Sequence, residues 1–200
     1  MRHSGATPPK LNCWSFWLLR HICKFLSTKQ RNAVIMKTIM KIWSSISMKK
    51  LLFVCHGNIC RSPMAEFIMK DLVKKAGVES QFHIESAATS REEIGSPVYP
   101  PARRKLAEHG ISCESHAARQ LTNQDYEEYD LLIGMDQANL RSMYRICGGD
   151  FSDKMSLLME HTDHPGDVAD PWYTGDFEAT WLDVLAGCQG LLKEIEHELR

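Results

Sequence analysis

The chain has 200 residues, 44% of them hydrophobic, and a formal net charge of −1 at pH 7. This length and composition predict one globular domain, with room for a short appendage. The charge is unevenly distributed, because residues 1–50 hold ten Lys or Arg and no acid, whereas the remainder holds 14 basic and 25 acidic residues. An acidic main part excludes a large basic face, and we expect no nucleic-acid partner.

Residues 1–47 form a basic N-terminal extension that contains no acid. Its apolar stretch, residues 14–26, is interrupted by Arg20, His21 and Lys24, and is too short and too charged for a membrane span. Three interpretations stay open: a basic tail or membrane-surface segment, a transit-like peptide, or an over-long gene model whose true start is Met48. We favour the last, and expect the extension to be disordered or absent from the native product.

An apolar run predicts the first strand over residues 50–55, and a helical repeat of apolar residues follows from Pro63 to Lys75. Ser62 is a favourable N-cap for this helix. Between them lies the loop Cys-His-Gly-Asn-Ile-Cys-Arg-Ser, residues 55–62. A tight loop that ends at a helix N-terminus directs backbone N–H groups at an anion, so the sequence predicts a phosphate-binding loop after the first strand.

The remaining predicted strands and helices alternate along the chain. Strands are expected over residues 82–87, 130–135 and 154–160, and helices over residues 101–108, 123–129 and 137–145, with a final helix from Asp176. This alternation predicts an α/β fold, a four-stranded parallel sheet flanked by helices on both faces. Ligands then bind at the carboxyl ends of the strands, where Cys55 stands.

The loop also carries the groups needed for chemistry on a phosphate ester. The Arg61 guanidinium is a planar fork that suits two phosphate oxygens, and the same positive field favours the thiolate form of Cys55. Ser62 is placed to donate to that sulfur, Gly57 permits close backbone approach, and Asn58 tolerates a left-handed conformation. We expect in-line attack on phosphorus, a cysteinyl-phosphate intermediate hydrolysed by water, and a carboxylic acid that protonates the leaving group.

Four motifs together resemble the low-molecular-weight protein-tyrosine phosphatase family. They are the loop with its flanks at residues 54–63, Ser-Ala-Ala-Thr-Ser at 86–90, Gly-Met-Asp at 134–136 with Asn-Leu at 139–140, and Asp-Pro-Trp-Tyr at 170–173. The resemblance covers residues 48–200, the expected phosphatase domain. It implies Cys55 as nucleophile, Arg61 as phosphate clamp, and Asp170 as general acid and then general base. It implies no cofactor, because the arginine and backbone dipoles take the place of a metal.

The resemblance also implies supporting roles around the loop. Asn58, Ser86 and His116 would brace the loop by hydrogen bonds, and Ser62 would stabilise the thiolate. Cys60 would protect the nucleophile from over-oxidation through a reversible disulfide, as suits an exposed thiolate of high reactivity.

The pocket wall is predicted from residues outside the loop. Trp172 and Tyr173 follow the acid and suit an aromatic wall beside a flat phenyl ring. Glu92 stands where the family often has an apolar or aromatic residue, so a charged wall bears on substrate preference. Within the loop, His56 is expected to contact substrate or solvent.

Metal binding is not expected. Seven cysteines occur without a Cys-x-x-Cys pair, and the His- and Asp-rich stretch 161–170 matches no metal-ligand spacing. We expect that stretch to be a polar loop. An enzyme that needs a thiolate suits a reducing compartment, and we expect a cytoplasmic protein.

Phosphotyrosine in proteins is the expected substrate, with a bacterial tyrosine kinase as a candidate partner. A protein-arginine phosphatase is an alternative, although relatives with that preference carry threonine where this chain has Ile59. An arsenate reductase is a second, but it needs two further cysteines after the third strand, where this chain has none before Cys147. A catalytically silent phospho-binding module is a third, which the intact set of Cys55, Arg61 and Asp170 opposes.

Overall fold

The computed structural model describes residues 48–198, and the prediction for residues 1–47 therefore lies outside the described residues. In the described part, four strands pair in parallel in the order β2-β1-β3-β4. They are β1 (Lys49–Cys55), β2 (Phe82–Ala88), β3 (Leu131–Gly134) and β4 (Met155–Leu157). The helices are α1 (Arg61–Lys75), α2 (Pro100–Glu108), α3 (Asn123–Glu128), α4 (Gln137–Cys147), α5 (Pro171–Thr174) and α6 (Phe177–Glu198), with 3-10 turns at Glu79–Gln81 and Leu158–His161.

The central strand β1 is buried on both faces. Leu51 and Phe53 lie in one apolar cluster with residues of α1, α2 and α6, whereas Leu52 and Val54 lie in a second cluster with residues of α3 and α4. Alternate side chains of a strand point to opposite faces, so helices cover both sides of the sheet. The predicted fold class is confirmed.

Helix ends follow the residues that the chain offers there. After α1, Gly77 adopts a φ of +72°, and the amides of residues 76–78 return to carbonyls of the last turn of the helix. Asp136 caps α4, accepting from Asn139 N at 2.6 Å. Among residues 48–198, no helix combines the length and apolar content that a membrane crossing requires.

One predicted cap is wrong. The helix α1 begins at Arg61, one residue before the predicted N-cap, and Cys60 stands at the cap position without a side-chain capping bond. The Ser62 hydroxyl instead contacts Cys55 Sγ at 3.0 Å and accepts from Asn58 Nδ2 at 2.9 Å. In the folded loop, the Ser62 hydroxyl has two buried partners, Cys55 and Asn58. These contacts outweigh the preference of serine for the capping position.

The fourth strand is shorter than predicted and a helix near Asp170 was not predicted. The strand β4 ends at Leu157, where Glu160 Oε2 accepts from Leu157 N at 3.0 Å as the chain enters a 3-10 turn. The one-turn helix α5 follows Asp170 and ends at Gly175, whose φ is +71°. Both differences arise from side-chain caps, which a pattern of apolar residues does not reveal.

Candidate active site

The thiol of Cys55 lies at the carboxyl end of β1 and is 3% exposed. Two polar groups of the following loop face its sulfur, namely Ser62 Oγ at 3.0 Å and the backbone N–H of Asn58 at 3.3 Å. Ser62 lies in the first turn of α1, and Asn58 lies in the loop three residues before this helix. Polar contacts to a sulfur beside a helix N-terminus are typical of a reactive cysteine.

Asn58 shapes the loop from within. It is fully buried and has a φ of +58°, the left-handed conformation predicted for it. Its Nδ2 donates to Ser62 Oγ at 2.9 Å and to Ser86 Oγ at 2.8 Å. The imidazole of His116 contacts the carbonyl oxygen of Asn58 at 2.8 Å, which makes Nε2 the donor. The structure thus brings together the three residues expected to brace the loop.

Glu66 is a member of this network that the sequence analysis missed. Its carboxylate, on α1, accepts from Ser86 Oγ and from Lys70 Nζ, each at 2.5 Å, and lies 3.8 Å from His116 Nδ1. No local signal indicates it, because Glu66 lies off the apolar stripe of Met64, Phe67 and Ile68 that predicts the buried side of α1. A buried carboxylate with three polar partners is stabilising where a lone one would be costly.

Arg61 is 3% exposed and is held by two carboxylates. Its Nη1 lies 2.6 Å from Asp136 Oδ2 and its Nη2 lies 2.6 Å from Asp170 Oδ2, while Nη1 also donates to the Val168 carbonyl at 3.1 Å. Burial by itself lowers the pKa of Arg61, but the negative charges of Cys55, Asp136 and Asp170 raise it overall. The guanidinium therefore stays charged and its plane is fixed.

Asp170 reaches the cavity from the segment between β4 and α6. Its Oδ1 accepts from Trp172 N at 3.0 Å, and this cap of α5 leaves Oδ2 on Arg61. Its backbone is extended, as expected for a residue before proline. The capping bond fixes the carboxylate beside the arginine rather than in solvent.

The second loop cysteine, Cys60, lies in surroundings that disfavour its thiolate. Burial, with the negative charges of Cys55 and Asp170, raises the pKa of Cys60 to about 12 against the smaller opposing effect of Arg61. Cys60 is therefore a neutral thiol at pH 7. Of the two sulfurs in the loop, Cys55 is the one with hydrogen-bond donors around it.

These groups open onto a cavity of about 320 Å³, a size typical of small-molecule sites. The predicted wall residues Glu92, Trp172 and Tyr173 all line it. Asn58 and Ser62 of the loop, and Ser86 and His116 that contact it, do not. The lining also includes four residues that were not predicted as wall, Glu93, Asp136, Ala138 and Asn139.

The charged part of the wall consists of Glu92 and Glu93. Glu92 Oε2 lies 3.2 Å from His56 Nε2, which joins the wall to the loop. Arg91 Nε instead donates to Gln120 Oε1 at 2.9 Å and does not line the cavity. Two carboxylates therefore face the opening. In the described part of the chain, no group of three or more His, Cys, Asp or Glu has a metal-binding arrangement.

The chain is similar to known phosphatases over most of its length. The family model described as low molecular weight phosphotyrosine protein phosphatase matches residues 50–200. The low molecular weight protein-tyrosine-phosphatase YfkJ of Bacillus subtilis is 38% identical over 153 residues, covering 76% of this chain and 98% of that protein. The YfkJ crystal structure matches with a TM-score of 0.75 over 77% of this chain and 98% of that chain.

Two further relatives widen the comparison. The human low molecular weight phosphotyrosine protein phosphatase is 34% identical over 151 residues, covering 73% of this chain and 95% of that protein. The crystal structure of DARP, a Drosophila arginine phosphatase, is 28% identical and matches with a TM-score of 0.67, covering 74% of this chain and 98% of that chain. The chain therefore belongs to the low molecular weight phosphotyrosine protein phosphatase family and is a hydrolase of that family.

Proposed function

We propose that this enzyme hydrolyses phosphotyrosine in proteins, with Cys55 as nucleophile and Asp170 as general acid and base. The observation that carries the proposal is the position of Cys55 Sγ, 3.0 Å from Ser62 Oγ and 3.3 Å from Asn58 N, on a cavity that Arg61 and Asp170 also line. A thiolate, a phosphate clamp and an acid face one space. That set serves in-line displacement at phosphorus.

In the first step, the Cys55 sulfur attacks phosphorus and the bond to the tyrosine oxygen breaks. The leaving phenolate takes a proton from Asp170. In the second step, Asp170 accepts a proton from the water that attacks the cysteinyl phosphate, which releases inorganic phosphate and restores the Cys55 thiolate. Cys60 takes no part as nucleophile, because its raised pKa of about 12 keeps it a thiol.

Arg61 couples phosphate binding to the state of the acid. Asp136 holds Nη1 at 2.6 Å, whereas Nη2 is held by Asp170, also at 2.6 Å. Substrate phosphate would take the place of Asp170 on Nη2, and Asp136 would keep the guanidinium oriented. Asp170 would then be released from the guanidinium and would face the leaving oxygen of the ester. The acid is thus prepared when substrate is bound.

The wall supports an aryl phosphate as substrate. The aromatic rings of Trp172 and Tyr173 line the cavity, and Ile59 adds an apolar side chain. A flat phenyl ring packs well against such a surface. The family implies phosphoprotein substrates. We infer that the substrates of this enzyme are phosphotyrosine proteins, including autophosphorylated bacterial tyrosine kinases.

A specific observation favours a second candidate, protein-arginine phosphatase. Glu92 and Glu93 line the cavity, and carboxylates are good acceptors for the N–H groups of a phosphorylated guanidine. A neighbour in fold is named as an arginine phosphatase. Ile59 opposes this candidate, because the relatives with that preference carry threonine there.

Arsenate reduction receives less support. Burial, followed by the negative charges of Asp125 and Asp150, raises the pKa of Cys147 to about 11, and this thiol lies in the apolar cluster beside β1 that does not contain Cys55. Among residues 48–198, the cysteines that line the cavity are Cys55 and Cys60. A reductase that passes oxidation from one cysteine to two others needs more cysteines at this cavity than residues 48–198 supply.

The test is turnover by the full chain of matched peptides that carry phosphotyrosine or phosphoarginine, with Cys55→Ser as control. We expect Cys55-dependent release of phosphate, faster from phosphotyrosine. Faster turnover of phosphoarginine would keep the mechanism and replace the substrate. Turnover of neither, together with thiol-dependent reduction of arsenate, would contradict the proposal. An autophosphorylated bacterial tyrosine kinase serves as the protein substrate in the same assay.

A further inference from the structure

Asn58 is also held from outside the loop, by a segment that follows His116. The backbone N–H of Arg119 donates to Asn58 Oδ1 at 3.1 Å. With this bond, the amide oxygen, the amide nitrogen, the backbone carbonyl and the backbone N–H of Asn58 all have partners. A left-handed Asn with every polar group engaged has one defined conformation.

The main chain of Arg119 lies between the loop and β2. Its N–H donates to Asn58, and its carbonyl accepts from Ala88 N at 2.7 Å at the end of β2. Two residues on, Leu121 N donates to the Ala88 carbonyl at 2.8 Å. Residues 119–121, called the rung below, thus pair with the end of β2 at the edge of the sheet and reach the phosphate-binding loop.

The side chain of Arg119 anchors this rung. Its Nη1 lies 2.9 Å from Asp125 Oδ1, and its Nη2 lies 3.1 Å from Glu85 Oε2 and 3.3 Å from Tyr129 Oη. Tyr129 also donates to Glu85 at 2.6 Å, and His83 lies 3.4 Å from the same carboxylate. One guanidinium therefore ties the rung to β2 and to both ends of α3.

The anchor and the loop share β2 directly. Glu85 and Ser86 are consecutive on this strand, so their side chains point to opposite faces of the sheet. Glu85 holds the Arg119 side chain on one face, while Ser86 accepts from Asn58 on the other. Displacement of the rung would therefore disturb Asn58 through its hydrogen bond to Arg119 N and through its hydrogen bond to Ser86 on β2.

We propose that Arg119 is a positioning residue for the nucleophile. Its side-chain contacts fix the backbone N–H that holds Asn58, and Asn58 in turn holds its own N–H on the Cys55 sulfur and its amide on Ser62. The proposal rests on the proposed function, because it assigns Arg119 to the reactivity of the same thiolate. It predicts an effect of Arg119 on Cys55 chemistry across a chain of hydrogen bonds.

A merely stabilising role is the alternative. The side chain of Arg119 is 35% exposed, and ion pairs in partly exposed positions contribute little to the free energy of unfolding. A stabilising ion pair would change the melting temperature and leave the thiol reactivity of the folded protein unchanged. The two roles are therefore separated by a measurement on Cys55 itself.

The experiment measures the rate of Cys55 alkylation by iodoacetamide against pH in the full chain, with tandem mass spectrometry to separate Cys55 from Cys60. In Arg119→Ala we expect the pH midpoint of Cys55 alkylation to rise by about one unit, which is about tenfold less thiolate below the midpoint. We expect kcat/KM for an aryl phosphate, measured at a pH below that midpoint, to fall by a similar factor. Arg119→Lys, which keeps the charge and loses the fork, should lie between.

The matched control is Arg145→Ala, since Arg145 is exposed and, among residues 48–198, donates to Ser142 on its own helix at 3.0 Å. Its alkylation midpoint and kcat/KM should equal those of the wild type. Glu85→Gln weakens the ion pair with Arg119 without removing the guanidinium, and it provides the test if Arg119→Ala does not fold. Its Cys55 alkylation midpoint should rise by less than that of Arg119→Ala. Unchanged midpoints in the folded Arg119 and Glu85 variants would overturn the positioning role.

Failure of the proposed function would look different. A wild-type Cys55 that is alkylated with the pH midpoint of an ordinary thiol, near 8.5, would contradict the thiolate mechanism and the positioning role together. A low wild-type midpoint that Arg119→Ala leaves in place would overturn the positioning role alone.

Discussion

The phosphate-binding loop and the rim of the same cavity are built in opposite ways. In the loop, residues 55–62, Cys55, Asn58 and Ser62 are almost completely buried and their polar groups have partners within the protein. The rim, defined here as Glu92, Trp172 and Tyr173, has side chains that are between 58% and 86% exposed. A buried hydrogen-bond network leaves its side chains one arrangement, whereas exposed side chains can be substituted without disturbing buried contacts. We therefore expect the proposed chemistry to depend on the loop and substrate selectivity to depend on the rim.

The largest effect is expected from Cys55→Ser. We expect turnover to fall by a factor of about 10⁴ or more, because a serine hydroxyl is not ionised at the pH where the thiolate attacks. Binding of vanadate or phosphate should persist, since Arg61 and the backbone N–H groups are unchanged. Steady-state kinetics and competitive titration with vanadate check both. Turnover close to that of the wild type would remove the mechanism.

A smaller loss is expected from Asp170→Ala, and its size should depend on the leaving group. Phenyl phosphate needs a proton on its leaving oxygen, whereas p-nitrophenyl phosphate needs one much less, so the first should be slowed about 10²-fold more. Asp170→Asn is the matched control, because its amide oxygen retains the cap of α5 without a transferable proton. Equal losses for the two esters would contradict the general-acid role.

What could be predicted from the sequence differs between the two regions for a physical reason. Cys55, Asn58, Arg61 and Ser62 lie within eight residues where a strand gives way to a helix, so local pattern and loop chemistry place them together. The Ser62 cap was wrong because its hydroxyl has partners that only the folded loop provides.

Contacts between distant segments were beyond the sequence. Arg61 meets Asp136 75 residues further along the chain, and Arg119 meets Glu85 34 residues earlier. Which acid pairs with which arginine depends on how the helices pack on the sheet. The family motifs supplied Asp170 and His116, but nothing local indicated Glu66 or Arg119 as members of the site.

On the rim, Trp172→Ala should act on substrate binding. The Trp172 ring lines the cavity, and its pairing with the phenyl ring of an aryl substrate would contribute about 1 kcal/mol. We expect KM for an aryl phosphate to rise about fivefold with kcat little changed. Tyr173→Ala is the paired variant, with a smaller effect because its side chain is 86% exposed. A loss in kcat without a change in KM would place Trp172 in the chemistry and break the division between loop and rim.

The smallest effect, and the sharpest test of the rim, is expected from Glu92→Gln. Its carboxylate is 74% exposed and faces the opening together with Glu93, so it should favour peptides with Lys or Arg beside the phosphotyrosine. Such an exposed charge is worth little, and we expect the ratio of kcat/KM between basic and acidic peptides to fall about two- to threefold.

Salt distinguishes this charge effect from a change of shape. At 1 M ionic strength the screening length is about 3 Å, so wild type and Glu92→Gln should show the same ratio. Glu127→Gln, an exposed acid on α3 that does not line the cavity, should match the wild type at every salt concentration. If the ratio of kcat/KM between basic and acidic peptides changes equally in Glu92→Gln and Glu127→Gln, the preference arises from the net charge of the domain. If it changes in neither variant, Glu92 has no part in selectivity. Because the wild-type loop is unaltered in both variants, each outcome concerns the rim alone.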